Sequence, residues 1–131
     1  KARSFVISTG SRPAALPIPG LKEAGYITNE EVFEITERPD TLAIIGGGPA
    51  GCECGLWLKM MGLDPVIIEK SDCLGGLQNF SPYQNQWIAG VMDTSGRDFA
   101  HSIQKHIQQK EIDVIFHADV TSVQQNARGF T

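Results

Sequence analysis

Leu42-Ala-Ile-Ile-Gly46-Gly-Gly48-Pro-Ala-Gly51 joins a short apolar run to a glycine-rich turn with the spacing G-x-G-x-x-G. The continuous apolar run predicts a strand that is buried on both faces of a parallel sheet. Residues 50–61 predict a helix that is apolar on nearly all sides and is therefore buried. Gly62 is typical of the residue that follows the end of such a helix.

A second apolar run, Pro65-Val-Ile-Ile-Glu69, follows the predicted helix. A strand, a helix and a second strand within 28 residues predict one βαβ unit with a right-handed crossover. The predicted fold class is therefore α/β, a Rossmann-type three-layer parallel sheet that forms an FAD/NAD(P)-binding domain.

Each glycine of the turn has a separate physical purpose in such a unit. Gly46 allows the tight turn, Gly48 lets a pyrophosphate approach the backbone, and Gly51 lets the helix pack closely on the strand. The free N–H groups and the positive dipole end of the helix hold the phosphate charge. The alternative interpretation is a βαβ turn that uses its glycines only for packing.

Glu69 ends the second strand, 18 residues after Gly51. A carboxylate at this position accepts hydrogen bonds from the hydroxyls of an adenosine ribose. It would repel a 2′-phosphate, so the pattern favours FAD or NAD over NADP.

Upstream of the turn, residues 4–8 predict a short buried strand, and residues 11–20 predict an extended connector because they contain three prolines. Asn29 is a candidate N-cap for a helical turn at residues 30–35. We therefore assign residues 1–40 to the closing strand of a preceding domain and a Pro-rich crossover. Residues 41–131 are assigned to a dinucleotide-binding domain that is incomplete at its C-terminus, so the chain is interpreted as a fragment.

Downstream of Glu69, residues 71–94 predict an irregular loop whose length suggests a functional segment or a lid. Ser95 predicts the start of a second helix, with Asp98 as its capping partner. Residues 112–116 and 120–124 predict two further strands.

The composition excludes several classes of function. The net charge of −4 and the absence of a basic patch argue against binding of nucleic acid. No apolar run approaches the roughly 18 residues of a membrane span, and the N-terminal residues do not have the layout of a signal peptide. A cytoplasmic location is therefore the default expectation.

The chain contains three cysteines, Cys52, Cys54 and Cys73. Cys52 and Cys54 should point to different faces of the predicted helix, so we interpret them as packing residues that do not pair. The three histidines lack the spacing of metal ligands, so no metal site is predicted.

The first half of the chain resembles one known superfamily. The segments Val6-Ile-Ser-Thr-Gly10-Ser-Arg-Pro13, Pro17-Ile-Pro-Gly20 and Tyr26-Ile-Thr-Asn-Glu30, followed by residues 38–51, are similar to pyridine nucleotide-disulfide oxidoreductases. The similarity is to the dihydrolipoamide dehydrogenase-like and mercuric reductase-like members. In those members the closing strand of the FAD domain precedes the glycine motif of the nicotinamide domain. This chain order implies that the glycine turn binds NAD(H).

The second half resembles the FAD domain of thioredoxin reductase-like members through Leu74-Gly75-Gly76, Thr94-Ser-Gly-Arg-Asp-Phe99 and Val120-Thr-Ser-Val123. That resemblance implies FAD, so the choice between FAD and NAD(H) stays open. Together the motifs imply the following cofactor contacts: Gly46, Gly48, Pro49, Ala50, Gly51, Glu69, Lys70, Gly75 and Gly76.

For the whole protein, the resemblance implies hydride transfer between NAD(P)H and FAD in a homodimer. The redox cysteine pair that these enzymes carry is not in this chain, so no catalytic residue is assigned. The alternative function is a non-catalytic nucleotide-binding or interaction domain, with the aromatic loop at residues 80–87 as its partner surface. The other interpretation of that loop is that it covers the cofactor or the edge of the core.

Overall fold

The computed structural model describes residues 4, 10, 12–28, 30–86, 88–127 and 129–131. The chain divides into two units, one formed by Lys1–Glu37 with Thr121–Thr131 and the other by Arg38–Val120. Residues 5–8 of the predicted first strand and the predicted N-cap Asn29 lie outside the described residues. The assignment of residues 1–40 to a preceding domain and of residues 41–131 to a dinucleotide-binding domain stays a prediction.

The helices and strands alternate along the chain, and most of them are short. In chain order they are α1 (Leu21–Ala24), a 3-10 turn (Val32–Glu34), β1 (Thr41–Ile45), α2 (Pro49–Met60), β2 (Asp64–Ile68), a second 3-10 turn (Gly76–Phe80), β3 (Gln84–Asn85), β4 (Thr94–Ser95), α3 (Gly96–Gln109), β5 (Asp113–Ile115), β6 (Gln125–Asn126) and β7 (Gly129–Phe130). Among the described residues, none of the helices has the length and apolar character that crossing a bilayer requires.

The unit Arg38–Val120 is built on a parallel sheet with the strand order β1-β2-β5. Ile67, in the central strand, lies opposite Ile44 of β1 and Val114 of β5. The predicted βαβ unit, with α2 between β1 and β2, is therefore confirmed, as is the strand predicted at residues 112–116. The α/β class and the Rossmann-type sheet are confirmed with them.

Both long helices cover the same face of this sheet. Cys52 of α2, Ile67 of β2 and Ile107 of α3 belong to one buried cluster, which Leu74 and Ile112 complete. Right-handed crossovers place consecutive helices on one face when each new strand is added in the same direction, as in β1-β2-β5. Within the described residues, α2 and α3 therefore form one layer of helices against this sheet.

The prediction that α2 is buried on all sides is wrong. Its buried residues are Cys52, Gly55 and Leu58, whereas Trp57 and Met60 are 57% and 72% exposed. A helix that lies on one face of a sheet buries only the stripe that faces the sheet, whatever the residues on its other side. The apolar composition of this helix does not reveal which side is covered.

The predicted start of α3 is confirmed. Ser95 is its N-cap, and its hydroxyl oxygen accepts a hydrogen bond from the Asp98 N–H at 3.1 Å. The same hydroxyl donates to the Asp98 carboxylate at 2.6 Å. The first turn of α3 is therefore capped by its own side chains.

The loop predicted at residues 71–94 has more structure than expected, since it contains a 3-10 turn and β3, which pairs with β4. The strand predicted at residues 120–124 is wrong. In the unit that contains the chain ends, the Val123 N–H donates to the Pro19 carbonyl, and regular pairing begins only between β6 and β7.

The helical turn predicted at residues 30–35 is a 3-10 turn, Val32–Glu34. Thr28 and Glu31 are joined by hydrogen bonds just before it. The Thr28 N–H donates to the Glu31 carboxylate at 2.8 Å, and the Thr28 hydroxyl oxygen accepts from the Glu30 N–H at 3.1 Å.

Candidate functional site

The glycine turn connects the carboxyl end of β1 to the N-terminus of α2. Gly46 has φ +101°, a conformation that side chains with a Cβ rarely adopt, and its N–H donates to the Ile68 carbonyl at 2.9 Å. The first glycine of the motif is thus required by the backbone of the turn.

Gly51 is required by packing. A Cβ built on Gly51 would lie 2.0 Å from the Gly46 carbonyl oxygen and 3.4 Å from Ile44 Cγ2. Glycine at this position lets α2 approach the turn and the strand, which is the role predicted from the motif.

Gly48 is not required by anything in the described part of the chain. Its backbone has φ −69° and ψ 176°, which any residue can adopt, and a Cβ built on it would have no heavy atom within 4 Å apart from its chain neighbours. A Cβ at Gly46 would also enter open space. The turn therefore leaves a space at the start of α2 that side chains at these two positions would occupy.

The N-cap residue of α2 is Gly48, which has no side chain that could cap the helix. The first turn of α2 holds no acidic residue. The first N–H groups of a helix lack partners within the helix and carry the positive end of its dipole. Pro49 at the first helical position lacks an N–H, while Ala50 and Gly51 each have one. This arrangement suits an anion beside Gly48.

Gly47, a variable position of the motif, connects three parts of the unit, and the sequence analysis missed it. Its N–H donates to the Glu69 carboxylate at 2.6 Å, and its carbonyl accepts from the Gly75 N–H at 2.8 Å and from the Cys52 thiol at 3.3 Å. A Cβ built on Gly47 would lie 2.4 Å from Leu74 Cδ2. A third consecutive glycine was the only signal of this role in the sequence.

Glu69 directly follows β2 and lies beside the turn, with only 5% of its surface exposed. Besides the bond from Gly47, its carboxylate accepts hydrogen bonds from the Ser71 N–H at 2.8 Å and from the Ser71 hydroxyl. Burial of this carboxyl raises its pKa, but the hydrogen bonds from Ser71 and Gly47 and the charge of Lys70 outweigh burial and hold the pKa below its ordinary value. The carboxylate is therefore ionised at neutral pH.

The lowered pKa of Glu69 predicts an acid-sensitive contribution to stability. A group with a depressed folded pKa stabilises the fold above its ordinary pKa of 4.5, and this contribution is lost as the pH falls through the folded value. We expect Glu69→Gln to lose stability at neutral pH and to show a shallower decline below pH 4.5 than the parent chain. Urea unfolding across that range measures both effects. Glu37→Gln, at an exposed side chain, is the control, and an unchanged decline in Glu69→Gln would contradict the prediction.

The glycine pair after Glu69 lies against the turn. The Gly75 N–H donates to the Gly47 carbonyl, and a Cβ built on Gly76 would lie 3.1 Å from Gly48 Cα. A Cβ on Gly75 would lie 2.3 Å from Ala100 Cβ of α3. The structure therefore brings the predicted contacts Gly46, Gly48, Gly51, Glu69, Gly75 and Gly76 together around one turn. Lys70, which is exposed, follows Glu69 directly.

In the described part of the chain, the segment after the glycine pair has exposed apolar side chains and buried polar atoms without hydrogen-bond partners. Leu77, Phe80 and Tyr83 are 86%, 82% and 71% exposed, so they do not cover the edge of the core. Within the described residues, the buried atoms Gln78 Oε1 and Asn85 Nδ2 have no hydrogen-bond partner. Both belong to the segment that follows the glycine pair. Buried polar groups without partners are uncommon, so each of these two atoms has unused hydrogen-bonding capacity.

The three cysteines are free thiols. Cys52 is buried, as the packing interpretation requires, whereas Cys54 is exposed, so that interpretation is wrong for Cys54. Burial, together with the nearby Glu69 carboxylate, raises the pKa of Cys52 to about 11, which makes this thiol unreactive at neutral pH. Across the described part of the chain, no cluster of three or more His, Cys, Asp or Glu side chains could hold a metal ion.

The chain matches the pattern of the pyridine nucleotide-disulphide oxidoreductase family over residues 1–131. It is 32% identical to a mercuric reductase of Bacillus cereus over 95 residues, which cover 72% of this chain and 15% of that protein. It is also 32% identical to the mitochondrial thioredoxin reductase 2 of Drosophila melanogaster over 94 residues, covering 72% of this chain and 17% of that protein. The resemblance to mercuric reductase-like and thioredoxin reductase-like members of this superfamily is thus confirmed.

A solved structure of similar fold is the flavoprotein disulfide reductase RclA of Escherichia coli, with a TM-score of 0.66 and 22% identity. The match covers 93% of this chain and 24% of that protein. The chain thus spans about a quarter or less of each of these relatives. The cofactor classes expected from the sequence, FAD and NAD(P)H, are those of this group of proteins. The chain belongs to the pyridine nucleotide-disulphide oxidoreductase family.

Proposed function

We propose that the chain binds the adenosine diphosphate half of a dinucleotide cofactor between the glycine turn, the N-terminus of α2 and Glu69. In the whole protein this segment would serve a homodimeric flavin-dependent oxidoreductase that transfers hydride between NAD(P)H and FAD. The observation that carries the proposal is the open space at Gly48, a glycine that neither its backbone conformation nor its packing requires.

The pyrophosphate would lie beside Gly48 and the first turn of α2. The N–H groups of Ala50 and Gly51 belong to that turn, and the dipole of a 12-residue helix adds positive potential there. α3 offers no equivalent place, because Ser95 and Asp98 already cap it. The anion would supply the hydrogen-bond acceptors and the negative charge that the N-cap residue and the first turn of α2 do not provide.

The adenosine ribose would lie next to Glu69, at the carboxyl end of β2. Ligands of open α/β sheets bind at the carboxyl ends of the strands. Glu69 is ionised and held beside the turn by Gly47, so a ribose hydroxyl can donate to it. The bound cofactor supplies the redox chemistry, while these residues orient its nucleotide.

FAD is the first candidate among the two cofactors. The glycine pair Gly75-Gly76 is part of the resemblance to FAD domains, and it lies directly against Gly47 and Gly48. The order of motifs along the chain favours NAD(H) instead. Titration of the chain with each cofactor separates these two assignments.

Gly48→Val tests the proposal. We expect the chain to bind ADP and FAD, and we expect Gly48→Val to abolish both interactions because its side chain fills the space meant for the pyrophosphate. Calorimetric titration with ADP, FAD and NADH measures the affinities, and thermal unfolding confirms that the variant is folded. Ala89→Val, which introduces the same valine side chain at an exposed loop position, is the control and should bind normally.

Each outcome of this experiment has a distinct meaning. Unchanged ADP binding by a folded Gly48→Val variant would show that the site assignment is wrong. Binding of NADH without FAD would assign the turn to the nicotinamide nucleotide. Binding of ADP with no response to either complete cofactor would favour the alternative, a non-catalytic nucleotide-binding domain.

A further inference from the structure

The hydrogen bonds of the Glu69 carboxylate are unevenly distributed between its two oxygens. Oε1 accepts from both the N–H and the hydroxyl of Ser71, whereas Oε2 accepts only from the Gly47 N–H. An ionised carboxylate offers about four acceptor positions, two on each oxygen. Within the described structure, Oε1 is therefore filled and Oε2 has one position left.

A ribose diol carries two donors, so it can use both oxygens of Glu69 only if one present donor leaves Oε1. The Ser71 N–H is fixed, because the neighbouring carbonyl of Ser71 accepts a hydrogen bond from the His117 N–H at 3.1 Å. The Gly47 peptide is held in the same way by Gly75. The Ser71 hydroxyl turns about a single bond and is the one donor that can leave without moving the backbone.

From this geometry, and resting on the proposed function, we propose that the Ser71 hydroxyl is a positioning and specificity-determining group. In the empty site it holds Glu69 beside the turn and fills the acceptor position on Oε1. On binding, one of the two ribose hydroxyls replaces it there, while the other donates to the open position on Oε2. The Ser71 hydroxyl and that ribose hydroxyl therefore compete for one lone pair.

Competition for one lone pair has a consequence that simple positioning does not have. In Ser71→Ala, Oε1 lacks one donor, and water reaches it poorly because only 5% of the Glu69 surface is exposed. A ribose hydroxyl that donates to Oε1 therefore gains more binding energy than in the parent chain. The contribution of one ligand hydroxyl to the binding affinity should therefore increase when the Ser71 hydroxyl is removed. If Ser71 only positioned Glu69, that contribution would fall.

The test compares ADP, 2′-deoxy-ADP and 3′-deoxy-ADP by calorimetric titration against the parent chain, Ser71→Ala and Ser71→Thr. In Ser71→Ala, we expect the loss of affinity on removing one of the two ligand hydroxyls to be roughly tenfold larger than in the parent chain, the size of one hydrogen bond to a charged group. Ser71→Thr keeps a hydroxyl and should retain the parent pattern. An equal or smaller loss in Ser71→Ala would overturn the inference.

A second measurement needs no nucleotide. Without the Ser71 hydroxyl, Glu69 should protonate at higher pH, so the acid decline in stability should begin at higher pH in Ser71→Ala than in Ser71→Thr. An unchanged decline would show that the hydroxyl does not hold Glu69 and would overturn the inference. If Ser71→Ala does not fold, Ser71→Cys, whose thiol is a weak donor, takes its place in both measurements.

The two proposals fail in different ways. If the parent chain does not bind ADP, the proposed function is overturned, and this inference falls with it. If the parent chain binds ADP but the removal of the Ser71 hydroxyl leaves the hydroxyl preference unchanged, only this inference is overturned.

Discussion

Gly51→Ala is expected to destabilise the unit Arg38–Val120 by about 3 kcal/mol or more, at the upper end of single substitutions. The new Cβ would lie 2.0 Å from the Gly46 carbonyl oxygen, a backbone atom that cannot move without displacing the turn. Relief of the contact would push α2 away from β1. A domain of this size is stabilised by about 5–15 kcal/mol, so the loss is a large fraction of the total.

Gly48→Ala is the matched control for Gly51→Ala, since it makes the same chemical change three residues earlier. Its Cβ enters open space, and its backbone conformation is one that alanine adopts. Glycine is preferred to alanine at an N-cap, but alanine lowers the entropy of the unfolded chain, so the net change should stay within about 0.5 kcal/mol. Urea unfolding of both variants measures the difference. Equal losses of stability in the two would show that the close approach at Gly51 is absent in solution.

Ile107→Ala is the second large effect, with an expected loss of about 2–5 kcal/mol. The side chain is fully buried in the cluster formed by Cys52, Ile67, Leu74 and Ile112, where α2, α3 and the sheet meet. Its removal takes away apolar burial and leaves a cavity, because the backbone on three sides is held by helices and strands. Chemical denaturation gives the free energy of unfolding.

Ile115→Ala makes the same change at a side chain that is 51% exposed in β5. It should cost about 1 kcal/mol or less, mostly from the lower strand preference of alanine. A similar loss in the two variants would mean that α3 does not pack on the sheet as described. If Ile107→Ala lowered the free energy of unfolding only slightly, the core would not be centred on Ile107.

Local patterns in the sequence were sufficient for the elements that depend on neighbouring residues. The apolar runs before Gly46 and before Glu69 predicted β1 and β2, because a strand buried in a parallel sheet contains a continuous apolar run. Ser95 and Asp98 predicted the start of α3, because a capping interaction joins residues only three positions apart. The glycine spacing and its context predicted the residues around the turn, and the resemblance of the flanking segments indicated the family.

Tertiary contacts decided what these patterns left open. The side of α2 that is buried depends on which face of the sheet the strand order leaves for it, so its composition misled the prediction. The strand expected at residues 120–124 failed for a similar reason, since its partner is the connector at Pro19 and not a strand.

The chemistry of the site was likewise predicted in part from local patterns and decided in part by tertiary contacts. The sequence predicted Glu69 as a ribose ligand, but nothing in its neighbourhood shows that Gly47, 22 residues earlier, donates to it. The roles of Gly47 and Ser71 exist only because the fold brings the turn, the end of β2 and the glycine pair together. Patterns in a sequence report local conformational preference and burial. The hydrogen bonds that orient a buried carboxylate depend on distances that only the packed chain sets.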